Sequence, residues 1–384
     1  MVYLDHAAST PLRPEALAAM EPFLADGYAN PSGMHAAARS AKTTLEVARE
    51  TVADVCGCAP GEIVFTGGGS EADNLAVKGA AWAARDRNRG DGVVTSAIEH
   101  RAVLAAADRL EREGFRVERV GVNSGGRVDL DELAAAIDDR TAVVSVMLVN
   151  NETGIVQPLP EIVEIVRARA PQALIHTDAI QAVSWLDLRA VAAAVDLLSI
   201  SGHKFGWPKG VGALMVRAGV ELVPLIDGGG QEGERRAGTQ NVAGIAGLAA
   251  AVRATDDQRA PECARVAALR DRLEAGLVRA LPGFTVNGDP TYRVPGILSC
   301  TFPGTEAESL LVALDQRDVY ASAGSACASG AIDPSHVLLA MGFTAERARA
   351  SVRFSLGHTT TAADIDAALA VIPGAVERLV GAAA

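Results

Sequence analysis

The stretch that decides the fold is Asp196-Leu-Leu-Ser-Ile-Ser-Gly-His-Lys-Phe-Gly-Trp-Pro-Lys-Gly-Val-Gly212. Its mostly apolar run, Leu197–Ile200, predicts a buried strand, and Lys204 follows the carboxyl end of that strand. In an open parallel α/β sheet, ligands bind at the carboxyl ends of the strands. Lysine is scarce, with only Lys42, Lys78, Lys204 and Lys209 in the chain. Because a desolvated amine is a nucleophile toward carbonyl compounds, we interpret Lys204 as catalytic rather than as a surface lysine.

Short apolar runs like this one alternate with helical patterns from about residue 62 to residue 216. The candidate strands are Ile63–Thr66, Val93–Thr95, Val117–Val120, Ala142–Val149, Leu174–Thr177, Leu197–Ile200 and Val211–Val216. The alternation predicts an α/β fold with a mostly parallel, seven-stranded sheet covered by helices on both faces. The last strand follows its predecessor so closely that it can pair antiparallel.

The chain length predicts two domains. A chain of 384 residues is long enough for one large and one smaller unit. We expect a large domain over residues 15–255, and a smaller α+β domain built from residues 1–14 and 256–384. Candidate strands of the smaller domain are Ile297–Phe302 and Val352–Leu356.

Composition limits which classes of partner and which cellular compartment can be expected. A net charge of −12 argues against a surface that binds nucleic acid directly. No apolar run approaches the ~20 residues of a membrane-spanning helix, and the first residues do not resemble a signal peptide. Five cysteines, without a regular framework, suit a reducing compartment. We therefore expect a cytoplasmic enzyme that does not bind a membrane.

A glycine-rich turn, Thr66-Gly-Gly-Gly-Ser-Glu-Ala-Asp73, stands between a predicted strand and a predicted helix. Ser70 can cap the helix, and Asp73 three residues later makes a pair like a capping box. The glycines also allow backbone N–H groups to approach an anion at the helix N-terminus. The turn is therefore either an ordinary capped helix start or a site for a single phosphate group.

Polar residues follow three further strands, at Glu99-His100, at Asn150-Asn151-Glu152, and at Asp178 with Gln181. Each group alone could be a cap or a turn. Together they converge on the carboxyl edge of one sheet, where Asp178 could keep a pyridine nitrogen protonated. A phosphate cradle, a lysine, an aspartate and a stacking imidazole indicate a site for pyridoxal 5'-phosphate (PLP).

The segment Ala321-Ser-Ala-Gly-Ser-Ala-Cys-Ala-Ser-Gly-Ala331 consists of small and polar residues and predicts an exposed loop. An exposed Cys is often reactive, so Cys327 is the candidate nucleophile, the alternative being an incidental thiol.

Cys56 and Cys58 have no second Cys or His pair at a zinc-ligand spacing, so we expect buried thiols and no metal site. Cys327 alone is a poor iron–sulfur ligand, because clusters typically take four cysteines.

With these motifs assembled, the chain resembles the cysteine desulfurases of the NifS/IscS type, in the class V aminotransferase group of fold-type I PLP enzymes. The resemblance covers nearly the whole chain and is most specific at Ser201-Gly-His-Lys204, Gly228-Gly-Gly-Gln-Glu232, Arg236-Ala-Gly-Thr239, Gly324-Ser-Ala-Cys327 and Arg353-Phe-Ser-Leu-Gly357. It implies removal of sulfur from L-cysteine, giving L-alanine and a persulfide on Cys327. An acceptor protein of iron–sulfur cluster assembly or thio-modification would take the sulfur. The alternative is a selenocysteine lyase or an aminotransferase on the same scaffold.

The resemblance also implies how the cofactor ring would be held. Lys204 would carry the cofactor, and His100 would stack on the ring. Asp178 would pair with the ring nitrogen, and Gln181 would contact the ring hydroxyl. The implied phosphate ligands are Gly69, Ser70, Ser201, His203 and, across a homodimer interface, Thr239 of the partner subunit.

The remaining implied roles concern the substrate. Arg353 and Asn151 would bind the carboxylate of L-cysteine, and Cys327 would take its sulfur while His100 moves the thiol proton. Of two neighbouring arginines, Arg236 is the expected match to a family arginine, and Arg235 is the alternative.

Overall fold

The computed structural model describes residues 1–324 and 333–383, so Cys327 lies outside the described residues. The strands are β1 Val2–Tyr3, β2 Ile63–Thr66, β3 Gly92–Ser96, β4 Arg116–Val120, β5 Thr141–Ser145, β6 Leu174–Asp178, β7 Leu197–Ser201, β8 Gly212–Val216, β9 Thr285–Val286, β10 Ile297–Thr301, β11 Val319–Tyr320 and β12 Ser351–Ser355. The helices are α1 Pro14–Met20, α2 Ala36–Cys56, α3 Gly69–Asn74, α4 Ala80–Asp86, α5 Arg101–Arg112, α6 Leu130–Ala136, α7 Leu159–Arg169, α8 Arg189–Ala194, α9 Val242–Ala280, α10 Ala307–Asp315, α11 His336–Ala340, α12 Ala345–Arg349 and α13 Ala362–Ala383. A π-helical turn, Leu75–Gly79, joins α3 to α4.

The large sheet has seven strands in the order β2-β8-β7-β6-β5-β3-β4. All pairs are parallel except those of β8, which runs antiparallel to both β2 and β7. The link between β7 and β8 is too short for the crossover that a parallel neighbour would need. The predicted mostly parallel, seven-stranded sheet is confirmed, as is the antiparallel pairing of its last strand.

Helices cover both faces of this sheet, which explains why its strands read as continuous apolar runs. On one face, Leu45 of α2, Ile162 of α7 and Leu248 of α9 lie in one apolar cluster. On the other face, Leu75 and Leu110 pack in a second cluster. Each fully buried Leu or Ile side chain contributes roughly 1.5–3 kcal/mol to folding.

A third apolar cluster joins β1, β10 and β12 to the second half of α9 and to α13. Its strands form an antiparallel sheet in the order β12-β10-β9, and β1 pairs in parallel with β11. The first residues therefore pack with the C-terminal part of the chain, because β1 and β11 share backbone hydrogen bonds. The boundaries at residues 15 and 255 stay a prediction. Among the described helices, none is long and apolar enough to cross a membrane.

Candidate active site

The carboxyl ends of the central strands deliver the candidate residues to one edge of the sheet. Lys204 ends a short 3-10 turn, Gly202–Lys204, that directly follows β7. The Nζ atom of Lys204 donates hydrogen bonds to the backbone oxygens of Ala7, at 2.6 Å, and of Ala8, at 2.9 Å. These two carbonyls belong to the N-terminal arm, residues 4–13, which the sequence did not connect to the lysine.

Asp178 is the last residue of β6 and is 4% exposed. Its Oδ1 atom accepts a hydrogen bond from the Ile180 amide at 2.9 Å. Burial raises the pKa of Asp178 to about 6, although the Ile180 amide and the Lys204 ammonium favour the ionised form. A buried carboxylate of this kind is well placed to pair with a protonated ring nitrogen.

His100 caps α5, because its Nδ1 atom accepts a hydrogen bond from the Ala102 amide at 3.1 Å. That bond orients the ring and leaves the proton of the neutral imidazole on Nε2. Burial, Lys204 and His336 lower the pKa of His100, which favours the neutral ring. The structure thus brings a neutral, oriented imidazole close to Lys204.

The glycine turn before α3 differs from the predicted capped helix. The helix is preceded by Gly68, with φ +147°, and no side chain caps it. Ser70 therefore lies inside the first turn, and Asp73 is fully buried instead of forming a capping box. The prediction of a cap was wrong because the sheet interior, rather than the helix end, takes the Asp73 carboxyl.

The uncapped helix start suits a bound phosphate. A methyl group at Gly69 would lie 2.3 Å from Ile180 Cδ1 and 3.1 Å from Ser201 Cβ, so only glycine allows this close approach. The buried Nδ1 atom of His203 has no hydrogen-bond partner among the described residues. Burial and the ammonium of Lys204 lower the pKa of His203 to about 4. These residues fit a PLP phosphate, because the helix start has no side-chain cap on its backbone N–H groups and His203 has an unpaired ring nitrogen.

Gln181 contacts the same part of the N-terminal arm as Lys204. Its Nε2 atom donates to the Ala7 carbonyl at 2.7 Å, so Gln181 and Lys204 share one acceptor. The contact of Gln181 with a ring hydroxyl stays a prediction.

Arg353, on β12, is 4% exposed and faces the site from the C-terminal part of the chain. Its Nη1 atom donates to the Asn151 carbonyl at 2.8 Å, and its Nη2 atom contacts Asp5 Oδ1 at 2.8 Å. The backbone of Arg353 pairs with Ser322, so the segment that leads to Cys327 starts beside this arginine. The structure thus brings Arg353 and Asn151 together, although Asn151 contributes its backbone to the contact.

Glu152 is a site residue that sequence reasoning did not select, although it belongs to a polar group noted there. Its Oε2 atom accepts a hydrogen bond from Ser335 Oγ at 2.5 Å. A methyl group at Gly324 would lie 3.0 Å from the same oxygen. Glu152 therefore lies close to the chain on both sides of the segment 325–332, and its burial raises the pKa of its carboxyl.

His336 is a second site residue that sequence reasoning did not select. Its Nε2 atom lies 3.0 Å from the backbone oxygen of Glu99, next to His100 in the chain. No spacing or motif predicts this contact, because His336 belongs to α11, far from Glu99 in sequence.

Further buried polar groups lie beneath the site. The Oε1 atom of Glu99 accepts hydrogen bonds from Ser96 Oγ, at 2.5 Å, and from the Met147 amide, at 2.8 Å. Asp73 Oδ1 lies 3.7 Å from His176 Nε2, and neither side chain is exposed. Burial and Asp178 raise the pKa of Asp73, whereas burial lowers the pKa of His176 to about 3. Burial therefore favours the neutral form of both groups.

The remaining predictions concern Thr239, the neighbouring arginines Arg235 and Arg236, and Cys327. Thr239 is exposed, so its role toward a partner subunit stays a prediction. Arg236 forms an ion pair with Glu71 at 2.8 Å beside the glycine turn, whereas Arg235 contacts the Gly61 carbonyl away from it. Cys327, with its possible role as an iron–sulfur ligand, lies outside the described residues. The described part of the chain has no group of three or more metal-ligating side chains that could hold a metal ion.

Comparison with known proteins agrees with this geometry. A family model described as aminotransferase class-V matches residues 2–368. The cysteine desulfurase of Cereibacter sphaeroides is 45% identical over 380 residues, which cover 98% of this chain and 96% of that protein. Cysteine desulfurase IscS of Methanosarcina thermophila is 44% identical over 378 residues, or 98% and 92% of the two chains. A solved structure described as a NifS-like protein has a TM-score of 0.92 at 35% identity, covering 98% of this chain and 99% of its own.

The fold and the residues gathered around Lys204 define a fold-type I, PLP-dependent transferase, as the sequence predicted. The chain belongs to the class V aminotransferase family and, within it, to the cysteine desulfurases. None of the relatives described above favours the aminotransferase or selenocysteine lyase alternative.

Proposed function

We propose that this cysteine desulfurase transfers the sulfur of L-cysteine to Cys327 as a persulfide and releases L-alanine. The observation that carries the proposal is the position of Arg353, whose backbone pairs with Ser322 at the start of the Cys327 segment. The same arginine presents a buried guanidinium toward the edge that holds Lys204. A carboxylate bound by Arg353 would therefore lie close to both the lysine and the cysteine segment.

PLP, when bound, supplies an electron sink for the α-carbon of the substrate amino acid. Lys204 would hold the cofactor, and the glycine turn with Ser70, Ser201 and His203 would hold its phosphate. Asp178 would keep the ring nitrogen protonated, which the burial of this carboxyl supports.

The protein groups would then handle the protons and the substrate. Arg353 would bind the substrate carboxylate through its planar guanidinium, exchanging its contact with Asp5 for the ligand. Lys204 would take the α-proton. His100 would accept the proton of the Cys327 thiol on Nδ1, giving up the hydrogen bond from the Ala102 amide. The Cys327 thiolate would form an S–S bond as the C–S bond of the substrate breaks. The bonding electrons stay on the carbon skeleton, which takes up a proton and leaves as L-alanine.

A homodimer is the form in which we expect the site to be complete. Thr239 is exposed, and large apolar side chains near the start of α2 are exposed as well. Tyr28 is 86% exposed, and Met34 is 91% exposed. Exposed apolar groups of this size support a protein interface. An acceptor protein for the persulfide sulfur, in cluster assembly or thio-modification, completes the proposal.

A cytoplasmic location is a further part of the proposal. The four described cysteines, Cys56, Cys58, Cys263 and Cys300, are free thiols, which supports a reducing compartment. The net charge of −12 also supports the absence of direct nucleic-acid binding.

The decisive experiment incubates the PLP-loaded protein with L-cysteine, quantifies alanine, and maps trapped persulfide by mass spectrometry. We expect persulfide on Cys327 in the unmodified protein. Cys327→Ala should keep the visible absorption of bound PLP but form neither persulfide nor alanine at a comparable rate. Cys58→Ala, at a half-buried thiol, is the control and should behave as the unmodified protein. Full turnover in Cys327→Ala would contradict the proposal and favour chemistry that does not use this thiol.

A further inference from the structure

A small cleft lies between the N-terminal arm, α9 and the turn after β12. Its charged and titratable lining residues are Arg13, Lys204, Arg259, Glu262, His6 and His358. The cleft has room for only a few water-sized molecules, which is too little for a nucleotide. Lys204 and Gln181 also line it, so one wall of the cleft belongs to the candidate active site, whereas the glycine turn and the end of β6 do not line it.

Arg13 is the unusual member of this group, because it is 6% exposed and has no carboxylate within ion-pair distance among the described residues. Its Nε atom donates to the Phe205 carbonyl at 3.1 Å, and its Nη1 atom donates to Gln258 Oε1 at 3.0 Å. Both acceptors are neutral. A buried charge is costly unless it is paired, and Arg13 has only the carboxylates of Glu15 and Glu262, beyond ion-pair distance, as counter-charges.

Other groups in the cleft also have donor capacity that the described protein atoms do not use. The buried Nη2 atom of Arg259 has no hydrogen-bond partner, although its Nη1 atom contacts Asp256 at 2.6 Å. The Nδ1 atom of His6 likewise has no partner, and this residue is 4% exposed. Nδ1 carries the ring proton when the other nitrogen of His6 accepts from Thr360.

The cleft offers no free negative charge among its described lining residues. Glu262 is the one carboxylate among them, and Arg265 already binds both of its oxygens, at 3.1 Å and 2.8 Å. A cation would therefore find no available ligand here. An anion would find the guanidinium groups of Arg13 and Arg259.

We propose that this cleft binds a small inorganic anion of about the size of chloride, held by Arg13, Arg259 and His6. The anion would supply the counter-charge for Arg13 and accept hydrogen bonds that have no protein acceptor. It would also join the N-terminal arm and α9 to the turn at Gly357 and His358. Because Lys204 and Gln181 both donate to Ala7 of the same arm, the bound anion would stabilise the support of the active-site lysine.

Bromide provides a direct test, because it replaces chloride and scatters X-rays anomalously. Crystals of the PLP-loaded protein grown with bromide should show an anomalous peak within hydrogen-bond distance of the Arg13 and Arg259 guanidinium groups. Bromide peaks at other surface sites, with only water in this cleft, would overturn the proposal.

Thermal unfolding of the PLP-loaded protein in solution provides a second test. Chloride, titrated against methanesulfonate at constant ionic strength, should raise the Tm of the unmodified protein to a plateau, since a ligand stabilises the state that binds it. Arg13→Gln should abolish this chloride-specific rise, whereas Arg13→Lys, which keeps the charge, should retain part of it. Arg112→Gln, at an exposed arginine of α5, is the matched control and should keep the full rise. Equal Tm curves in the two salts, or an undiminished rise in Arg13→Gln, would contradict the proposal. If Arg13→Gln does not fold, Arg13→Lys and the bromide measurement decide the question.

Discussion

Arg353 illustrates how much of the proposed chemistry depends on the shape of a single side chain. Its guanidinium contacts both the Asn151 carbonyl and the Asp5 carboxylate, so it is held in one orientation before any substrate arrives. A lysine at this position would keep the positive charge but lose the planar, bidentate geometry that suits a carboxylate.

We therefore expect Arg353→Lys to raise the KM for L-cysteine roughly tenfold or more, the effect of losing about 1.4 kcal/mol of binding. The kcat should change less than KM, because the lost contact serves the ground state and the transition state alike. Steady-state kinetics with the PLP-loaded protein measure both constants. Arg349→Lys, at an exposed arginine of α12, should leave KM unchanged. A normal KM in Arg353→Lys would remove Arg353 from the substrate site.

The buried carboxyl of Glu99 should make the free energy of unfolding depend on pH. Burial raises the pKa of Glu99 to about 8, although hydrogen bonds from Ser96 and from the Met147 amide favour the ionised form. The unfolded chain loses this proton at an ordinary carboxyl pKa, so between about pH 4.5 and pH 8 the folded state binds more protons than the unfolded state. The free energy of unfolding contributed by Glu99 therefore falls as pH rises through this window, by at most about 5 kcal/mol.

Denaturant unfolding of the cofactor-free protein at several pH values between these limits tests this expectation. Glu99→Gln, which cannot ionise, should flatten the decline of stability with pH. It should not abolish the decline, because burial also raises the pKa of Asp178 and of Asp73. An identical pH slope in the variant and in the unmodified protein would show that Glu99 is ionised when buried.

At the scale of elements, the start of α3 shows where sequence reasoning succeeded and where it failed. The strand β2 and the glycine turn were predicted correctly, because a buried apolar run followed by three glycines has few other interpretations. The prediction of a capped helix start was wrong. The same spacing of Ser70 and Asp73 also allows the Asp73 side chain to turn into the sheet. Short elements such as β1, β9 and α11 gave no periodic pattern, because two to five residues do not complete a repeat.

A substitution at Gly69 tests whether the start of α3 holds the PLP phosphate. Gly69→Ala would place a methyl group 2.3 Å from Ile180 Cδ1, so the turn must shift. We expect a loss of stability of about 1–3 kcal/mol, typical of overpacking, together with weaker PLP binding. Absorbance titration with PLP and chemical denaturation measure the two effects. Gly61→Ala, where an added Cβ meets nothing within 4 Å, is the control and should change neither. Normal PLP affinity in Gly69→Ala would mean that the helix start does not hold the phosphate.

At the scale of the whole molecule, the site is assembled from parts that are distant in sequence. Lys204 contacts Ala7, 197 positions away, and Arg353 contacts Asp5, 348 positions away. The sequence predicted which strand ends would meet, because a parallel sheet aligns them. It could not predict the N-terminal arm beneath Lys204, because a backbone carbonyl as acceptor leaves no signal in residue type. The resemblance to known desulfurases, rather than periodicity, supplied the roles of Arg353 and Thr239.

The assembly of two chains can be tested at Thr239. If it binds the phosphate of the partner subunit's cofactor, Thr239→Ala should weaken PLP binding, whereas Lys204→Ala should abolish turnover. In a mixed dimer of these two variants, one site combines both changes and the other is entirely unmodified. At limiting PLP, such a dimer should show about half of the activity of the unmodified dimer, one intact site of two.

Differently tagged chains, mixed and purified through both tags, provide the mixed dimer, and the two parent dimers are the controls. Alanine formation from L-cysteine is the measurement. A mixed dimer no more active than the mean of its parents would show that each chain completes its own site. If Thr239→Ala alone binds PLP normally, Thr239 has no role at the phosphate. Restored activity would instead require that Thr239 and Lys204 of one site come from different chains, which makes dimerisation a condition of PLP binding.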